Sequence, residues 1–370
     1  MSNLFDYLAW RGDLSFGNAP LCPVDTLVLS TLSYVRLDGV LSPDPGAEPV
    51  RLSDLAEQLA ARGVSGKNEE LFFAAARSTR FGALRLFAAQ SELNGEEGLQ
   101  FAAFSVLLPG QQMYVAFRGT DDTLIGWRED LRMSYECPVP AQLRAAQYLR
   151  AVAAAYPMRR IFVGGHSKGG NLAMYAAVSA GPDVRERIRR VFNHDGPGFC
   201  DGTLATLAYR ELRERIDTYV PESSIVGVLL EHDTNYRIVK STAKGLAQHD
   251  PFSWQVLGTE FEYAAERTAF GQRTEAIADR FVNGFSPERK RLFTEALFTV
   301  LEATDQQTIS VIVANKGKSI KNALRELASF DEPVREMLME TVAALGAAGK
   351  SVRRADKKRH ALEEQIAKAE

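Results

Sequence analysis

Read for the spacing of apolar and polar positions, the chain falls into three stretches. Residues 1 to about 80 carry mostly helical spacing. VDTLVLSTLSYVRL (Val24–Leu37) places apolar residues on one helical face behind Asp25. LSDLAEQLAARG (Leu52–Gly63) starts with Ser53 as an N-cap and stops at Gly63, and a short helix covers Asn68–Ala76. The period then shortens. Leu84–Leu93, Gly98–Leu108 and Gln112–Gly119 are short apolar or alternating runs, punctuated by Asn94-Gly95 and Pro109-Gly110, and predict an antiparallel meander. Helices near Leu124–Met133, Ala141–Tyr156 and Lys168–Ser179 next alternate with strands at Arg159–Gly164, Arg189–His194, Arg215–Val220 and Tyr236–Ser241. Strands alternating with helices predict a mostly parallel sheet with helices on both faces.

From about Gly258 the pattern is helical to the end. AIADRFVNGF, ERKRLFTEALFTVLEAT, TISVIVANKGKSIKNALRELASF and PVREMLMETVAALG each carry an apolar stripe. The last segment, KSVRRADKKRHALEEQIAKAE, is charged nearly all round, as a solvated terminal helix would be. Its basic patch at Arg353–Arg359 also leaves peripheral membrane or partner contact open. The expected organisation is a helical N-terminal part (residues 1–80), an α/β core (81–258) and a helical C-terminal cap or extension (259–370).

Composition narrows the function classes. The chain has 370 residues, 45% of them hydrophobic, and a net charge of -3, which gives no electrostatic case for nucleic acid. Asp6, Arg11 and Asp13 break the N-terminal run, so it does not read as a signal peptide, and no stretch approaches the roughly 20 apolar residues of a membrane span. Cys22, Cys137 and Cys200 are too sparse and scattered for a disulfide framework or a metal site. The expectation is a soluble, cytoplasmic protein without cofactor or metal, whose oligomeric state the sequence leaves open.

The chemistry concentrates at RRIFVGGHSKGGNLAMYAAVSA (Arg159–Ala180). Gly165-His166-Ser167-Lys168-Gly169 fits G-x-S-x-G between an apolar strand and a helix. The glycines are needed because side chains two residues either way would collide with the neighbouring strand and helix. The turn lifts the serine hydroxyl above the sheet, at a helix N-terminus that favours developing negative charge. The competing reading is an ordinary serine N-cap.

A nucleophile needs a base, since a serine hydroxyl alone is a poor nucleophile at neutral pH. Of the five histidines, His166 lies inside the turn and His360 in the charged tail. The order serine, acid, histidine in hydrolases of this shape favours His249, in GLAQHDPFSW, with His232 as runner-up and His194 earlier in the chain. An oxyanion hole would take the backbone N–H of Lys168 and a donor from FRGTDDTLIGWREDL (Phe117–Leu131), where Thr120 offers an N–H and a hydroxyl.

FRGT, then Trp127, Asp130-Leu131 and GHSKGGNLA, together resemble the class 3 lipase family. VFNHDGPGF, YVPESSIVGVLLEH, QHDPFSWQV and the N-terminal YLAWRGDLSF extend the likeness to an uncharacterised bacterial branch related to those lipases. The resemblance implies an α/β-hydrolase fold and a Ser-His-acid triad, without a known substrate. The acid departs from the pattern. Those lipases carry an Asp after the strand that here reads RIDTYV, where this chain has PESSIVG. Counting from the strand end puts Glu222 there; aligning on Ile225-Val226 puts Ser224 there, which has no charge to offer. Asp195, ending the preceding strand beside Ser167, is favoured over Glu222, with Asp250 and Asp217 behind. Lys168 stands where the lipases have Leu. It reads either as a wet first-turn residue or as a rim cation that, with His166, binds an anionic substrate; Asp121-Asp122 could pair with it.

The expected function is therefore a serine esterase or lipase-like hydrolase acting on a small-molecule or lipid ester. An acyltransferase or thioesterase would use the same residues. A catalytically silent hydrolase fold serving as a binding or scaffold module is the alternative from another class.

Overall fold

An eight-stranded sheet forms the core, and its order in space is its order along the chain: β1 (Val50–Arg51), β2 (Arg85–Asn94), β3 (Leu99–Leu108), β4 (Gln112–Phe117), β5 (Arg160–His166), β6 (Ile188–His194), β7 (Ile216–Pro221) and β8 (Tyr236–Val239). β1 to β4 pair antiparallel and β4 to β8 pair parallel. This is the α/β-hydrolase-like arrangement, a mostly parallel sheet behind an antiparallel N-terminal meander. The computed structural model describes residues 2–272 apart from 201, together with 275, 282, 284–304, 306–308, 332, 335 and 336.

The monotonic strand order decides where the helices go. Right-handed crossovers between consecutive parallel neighbours put every connecting helix on one face. α6 (Pro140–Ala155) and α7 (Lys168–Ser179) occupy it, packing on Met113, Val115 and Phe117 of β4 and Ile161 and Val163 of β5. The alternate residues Tyr114 and Ala116 point to the opposite face, which would be wet without a second layer. α1 (Leu4–Arg11), α2 (Pro23–Leu32), α3 (Leu52–Ala61) and α4 (Lys67–Arg77) supply that layer. α5 (Leu124–Arg132) follows β4; α8 (Pro182–Arg187) and α9 (Leu207–Leu212) are short connectors. α10 (Pro287–Glu302) lies against α5, with Arg128 paired to Glu302 at 2.9 Å.

Two helix ends differ from the pattern. Ser53 is not the N-cap of α3; Arg51 holds that position, and Ser53 Oγ donates to Asp54. The helix start needs no side-chain cap because Leu52 and Ser53 N–H donate to the carbonyls of Leu84 and Gly82. α2 stops at Leu32, short of the predicted Leu37, and a tight turn (Tyr34 N–H to Thr31 O, 3.1 Å) carries Tyr34 toward the sheet edge. The helical pattern expected from Gly258 does not hold at its start, where Glu260–Phe261 pairs antiparallel with Val256–Leu257; AIADRFVNGF, the helices predicted beyond α10 and the basic patch at Arg353–Arg359 lie outside the described residues, save isolated positions. No helix among the described residues is long and apolar enough to cross a membrane.

Candidate active site

β5 runs through Gly164-Gly165-His166 and turns at Ser167 straight into α7. Ser167 has φ +59° and ψ -137°, a left-handed conformation that costs a non-glycine residue of order 1–3 kcal/mol. Two ties hold it: Ser167 N–H donates to His194 O (3.0 Å), and Ser167 O accepts from Gly170 N–H (2.8 Å). The flanking glycines are steric requirements. A Cβ on Gly165 would stand 2.2 Å from the Gly169 carbonyl, and one on Gly169 would stand 2.2 Å from Phe117 O. Ser167 occupies the N-cap position, yet its side chain makes no capping hydrogen bond. Ser167 lines a cavity of about 680 Å³.

His249 lines the same cavity. It ends a 3-10 turn (Gly245–His249), and its Nδ1 lies 2.6 Å from Asp195 Oδ2. Asp195 follows β6 directly, also at positive φ (+55°), and is fully buried. Its carboxylate accepts two further bonds, from Ser224 Oγ (2.6 Å, to Oδ2) and Gly227 N–H (3.0 Å, to Oδ1). With Asp195 ionised, His249 Nδ1 carries the proton, and Nε2 is left with a lone pair.

The rival acids and bases have other partners, although Asp250 lines the same cavity. Glu222 accepts from Gln248 at 3.5 Å. Asp250 pairs with Lys67 at the surface (3.2 Å), and Asp217 pairs with Arg190 and Arg237. His232 bonds the nearby Leu230 carbonyl. His194, the last residue of β6, is buried, bonded to Thr26 and held down to about 3 by burial.

The second residue layer around His249 was not legible in the sequence. Tyr34 OH donates to His166 Nδ1 (3.0 Å), and His166 Nε2–H donates to the His249 backbone carbonyl (2.8 Å). The two imidazoles lie 4.6 Å apart. Burial first, and the neighbouring His249 second, hold His166 well below the usual imidazole range, so it stays neutral. His166 lines the cavity, and both of its ring nitrogens are engaged within the protein. Further N-terminal contacts reach the same loop: Phe5 stacks on Phe252, and Ser2 bridges to Val256.

The reading of Lys168 is corrected. Neither wet nor a free cation at the rim, its side chain is 1% exposed, and its Nζ donates to Glu129 Oε2 (2.9 Å) and Gln100 O (3.0 Å). Its carboxylate partner is Glu129, on the inner face of α5. Asp121 instead accepts from Thr123 and faces Arg118 at 3.8 Å. Thr120 lines the cavity, but its hydroxyl donates to Asp130 Oδ2 (2.5 Å), so the backbone N–H is the donor it can offer. Burial pushes Asp130 up to about 6 against the opposing pull of Lys168.

The rest of the cavity wall is mostly apolar, with Trp127, Leu131, Val226, Leu229, Leu230 and Phe252. Such a pocket, with a few convergent polar groups at one end, suits a ligand with an apolar body and one reactive polar group. Among the described residues, no group of three or more His, Cys, Asp or Glu could hold a metal ion.

The Mbeg1-like family profile matches residues 75–299. A search of curated proteins finds no match. Among solved structures, the chain is similar to the lipase–propeptide complex of Rhizomucor miehei (16% identity, 64% of this chain and 80% of that one, TM-score 0.39). It is also similar to lipase II of Rhizopus niveus (14% identity, 66% and 86%, TM-score 0.38) and to M37 lipase (12% identity, 71% and 91%, TM-score 0.36).

Proposed function

We propose that this chain, which belongs to the Mbeg1-like family, is a serine hydrolase cleaving carboxylic esters with an apolar acyl or alkyl part. The observation that carries the reading is the buried Asp195 held 2.6 Å from His249 Nδ1, on the wall of an apolar cavity that Ser167 also lines. A carboxylate so placed fixes the imidazole tautomer and stabilises the imidazolium.

In this mechanism Ser167 Oγ attacks the ester carbonyl carbon and His249 Nε2 takes its proton. The carbonyl oxygen becomes an oxyanion that receives the N–H groups of Lys168 and Thr120, each worth about 10²–10³ in turnover when well aimed. The imidazolium returns the proton to the departing alkoxide as the carbon–oxygen bond breaks. Water then attacks the acyl-enzyme by the same steps in reverse order and releases the acid.

The test is treatment of the purified protein with a fluorophosphonate probe, with the adduct located by mass spectrometry. A single adduct on Ser167, absent from Ser167→Ala, is expected, followed by hydrolysis of p-nitrophenyl esters with acyl chains of several carbons. An unlabelled wild type, or a variant labelled as well as the wild type, refutes the reading.

A further inference from the structure

Lys168 places a buried ammonium directly behind the turn that carries Ser167. Its Nζ donates to Glu129 on α5 and to the Gln100 carbonyl on β3, with Asp130 Oδ1 at 3.8 Å. Glu129 is fully buried and takes two backbone donors as well, Gln100 N–H (3.1 Å) and Ala141 N–H (2.9 Å). The next residue, Asp130, holds the Thr120 hydroxyl. Thr120 follows Gly119, which is pressed on the elbow so closely that a Cβ there would lie 2.9 Å from Ser167 Cβ and 2.5 Å from His166 O. One side chain thus links the elbow to α5 and, through Asp130, to the Thr120 loop.

A buried ion pair is weak evidence for stability, since apolar residues of similar volume often serve as well. The sheet brings the elbow and the Thr120 loop side by side, with Phe117 in register with Gly165; what the ion pair adds is a fixed geometry between α7 and α5, which the sheet does not pair. Resting on the hydrolase reading above, we propose that the Lys168 ammonium is a positioning group: by gripping Glu129 beside Asp130 it sets the separation of the Lys168 and Thr120 N–H groups that receive the oxyanion. The substrate carbonyl in its ground state is little affected by that separation; the tetrahedral oxyanion is strongly affected.

The test pairs Lys168→Met with Glu129→Gln in one protein, so that neither partner of the 2.9 Å pair is left as a lone charge, and reads kcat, KM and the second-order rate of fluorophosphonate labelling. The expected result is a loss of about 10- to 100-fold in kcat and in labelling rate, with KM within about threefold. Thr120→Val removes only the hydroxyl tie at the far end and is expected to give the same split, so a double variant that does not fold leaves the proposal open to refutation. Wild-type kcat in either folded variant, or an increase in KM alone, overturns it. Failure of the wild type to label at Ser167 is a different outcome: it removes the hydrolase reading, and this inference falls with it.

Discussion

Asn in place of Asp195 keeps the shape of the side chain and reverses one end of its hydrogen bonding. The carboxylate accepts three bonds, Gly227 N–H on Oδ1 and Ser224 Oγ and His249 Nδ1 on Oδ2. An amide can accept at only one end. If its oxygen stays on Gly227 N–H, the NH₂ faces His249, which must then present a bare Nδ1 and carry its proton on Nε2, where it cannot accept from Ser167. If the amide flips, the NH₂ faces Gly227 N–H and two buried donors collide, at a cost of about 1–3 kcal/mol. The first arrangement is the cheaper, because the Ser224 hydroxyl can rotate to accept. It yields the wrong tautomer, and the flip that restores the right one leaves a neutral amide that no longer stabilises the imidazolium; together the two losses are worth about 10⁴ in kcat, or about 5.5 kcal/mol of barrier. Ester turnover by Asp195→Asn at matched Tm should therefore fall about 10⁴-fold, while Glu222→Gln stays within about twofold of wild type. An Asp195→Asn protein retaining a tenth of wild-type kcat, or an equal loss in Glu222→Gln, would refute the assignment of the acid.

His166→Ala frees the His249 carbonyl, and Tyr34→Phe removes only the outer hydroxyl of the same relay; with one neutral hydrogen bond worth about 1 kcal/mol, kcat should fall about fivefold in each, with His166→Ala the worse. Steady-state kinetics decide it, and an unchanged kcat in both counts against a positioning role. Acid should destabilise the fold. His166 and His194 are neutral by burial, so below the ordinary imidazole value of 6.5 the unfolded chain binds up to two more protons at them, while native Asp130, raised to about 6, binds up to one more than its unfolded form. The balance is about one proton taken up on unfolding, so stability falls by about 1.4 kcal/mol per pH unit as pH drops from 6.5 toward 4. Calorimetric Tm values at pH 7, 6 and 5 check it; a flat or rising series toward acid contradicts it.

Much of the architecture was legible because each signal was local. The change from helical spacing to alternation near residue 84 marks the start of β2, and the glycines around Ser167 announce a close backbone approach wherever they occur. The site was legible only as far as chain order and strand ends reach. Asp195 could be placed beside Ser167 because β5 and β6 are neighbours, but choosing it over Glu222 depends on where the Ser223–Gly227 segment folds, and nothing local encodes that. Lys168 misleads for a clear physical reason. Lysines in first turns are usually wet, and the partner that changes this one is a glutamate on a helix distant in sequence. Tyr34 was likewise read as part of a helical stripe, whereas its hydroxyl is what reaches the site.

The contacts that Ser2, Phe5, Tyr34 and Lys67 make on the histidine side have an ownership consequence. Ser167 and Asp195, the proposed nucleophile and acid, directly follow adjacent strands whose final residues, His166 and His194, are in register, so the sheet fixes their spacing. His249, the proposed base, belongs to a loop that the first seventy residues hold down from outside. On the proposed reading the α/β core and the N-terminal helices are therefore co-owners of one site, and a fragment beginning at the meander would inherit Ser167 and Asp195 while forfeiting the restraints that hold the His249 loop beside Asp195.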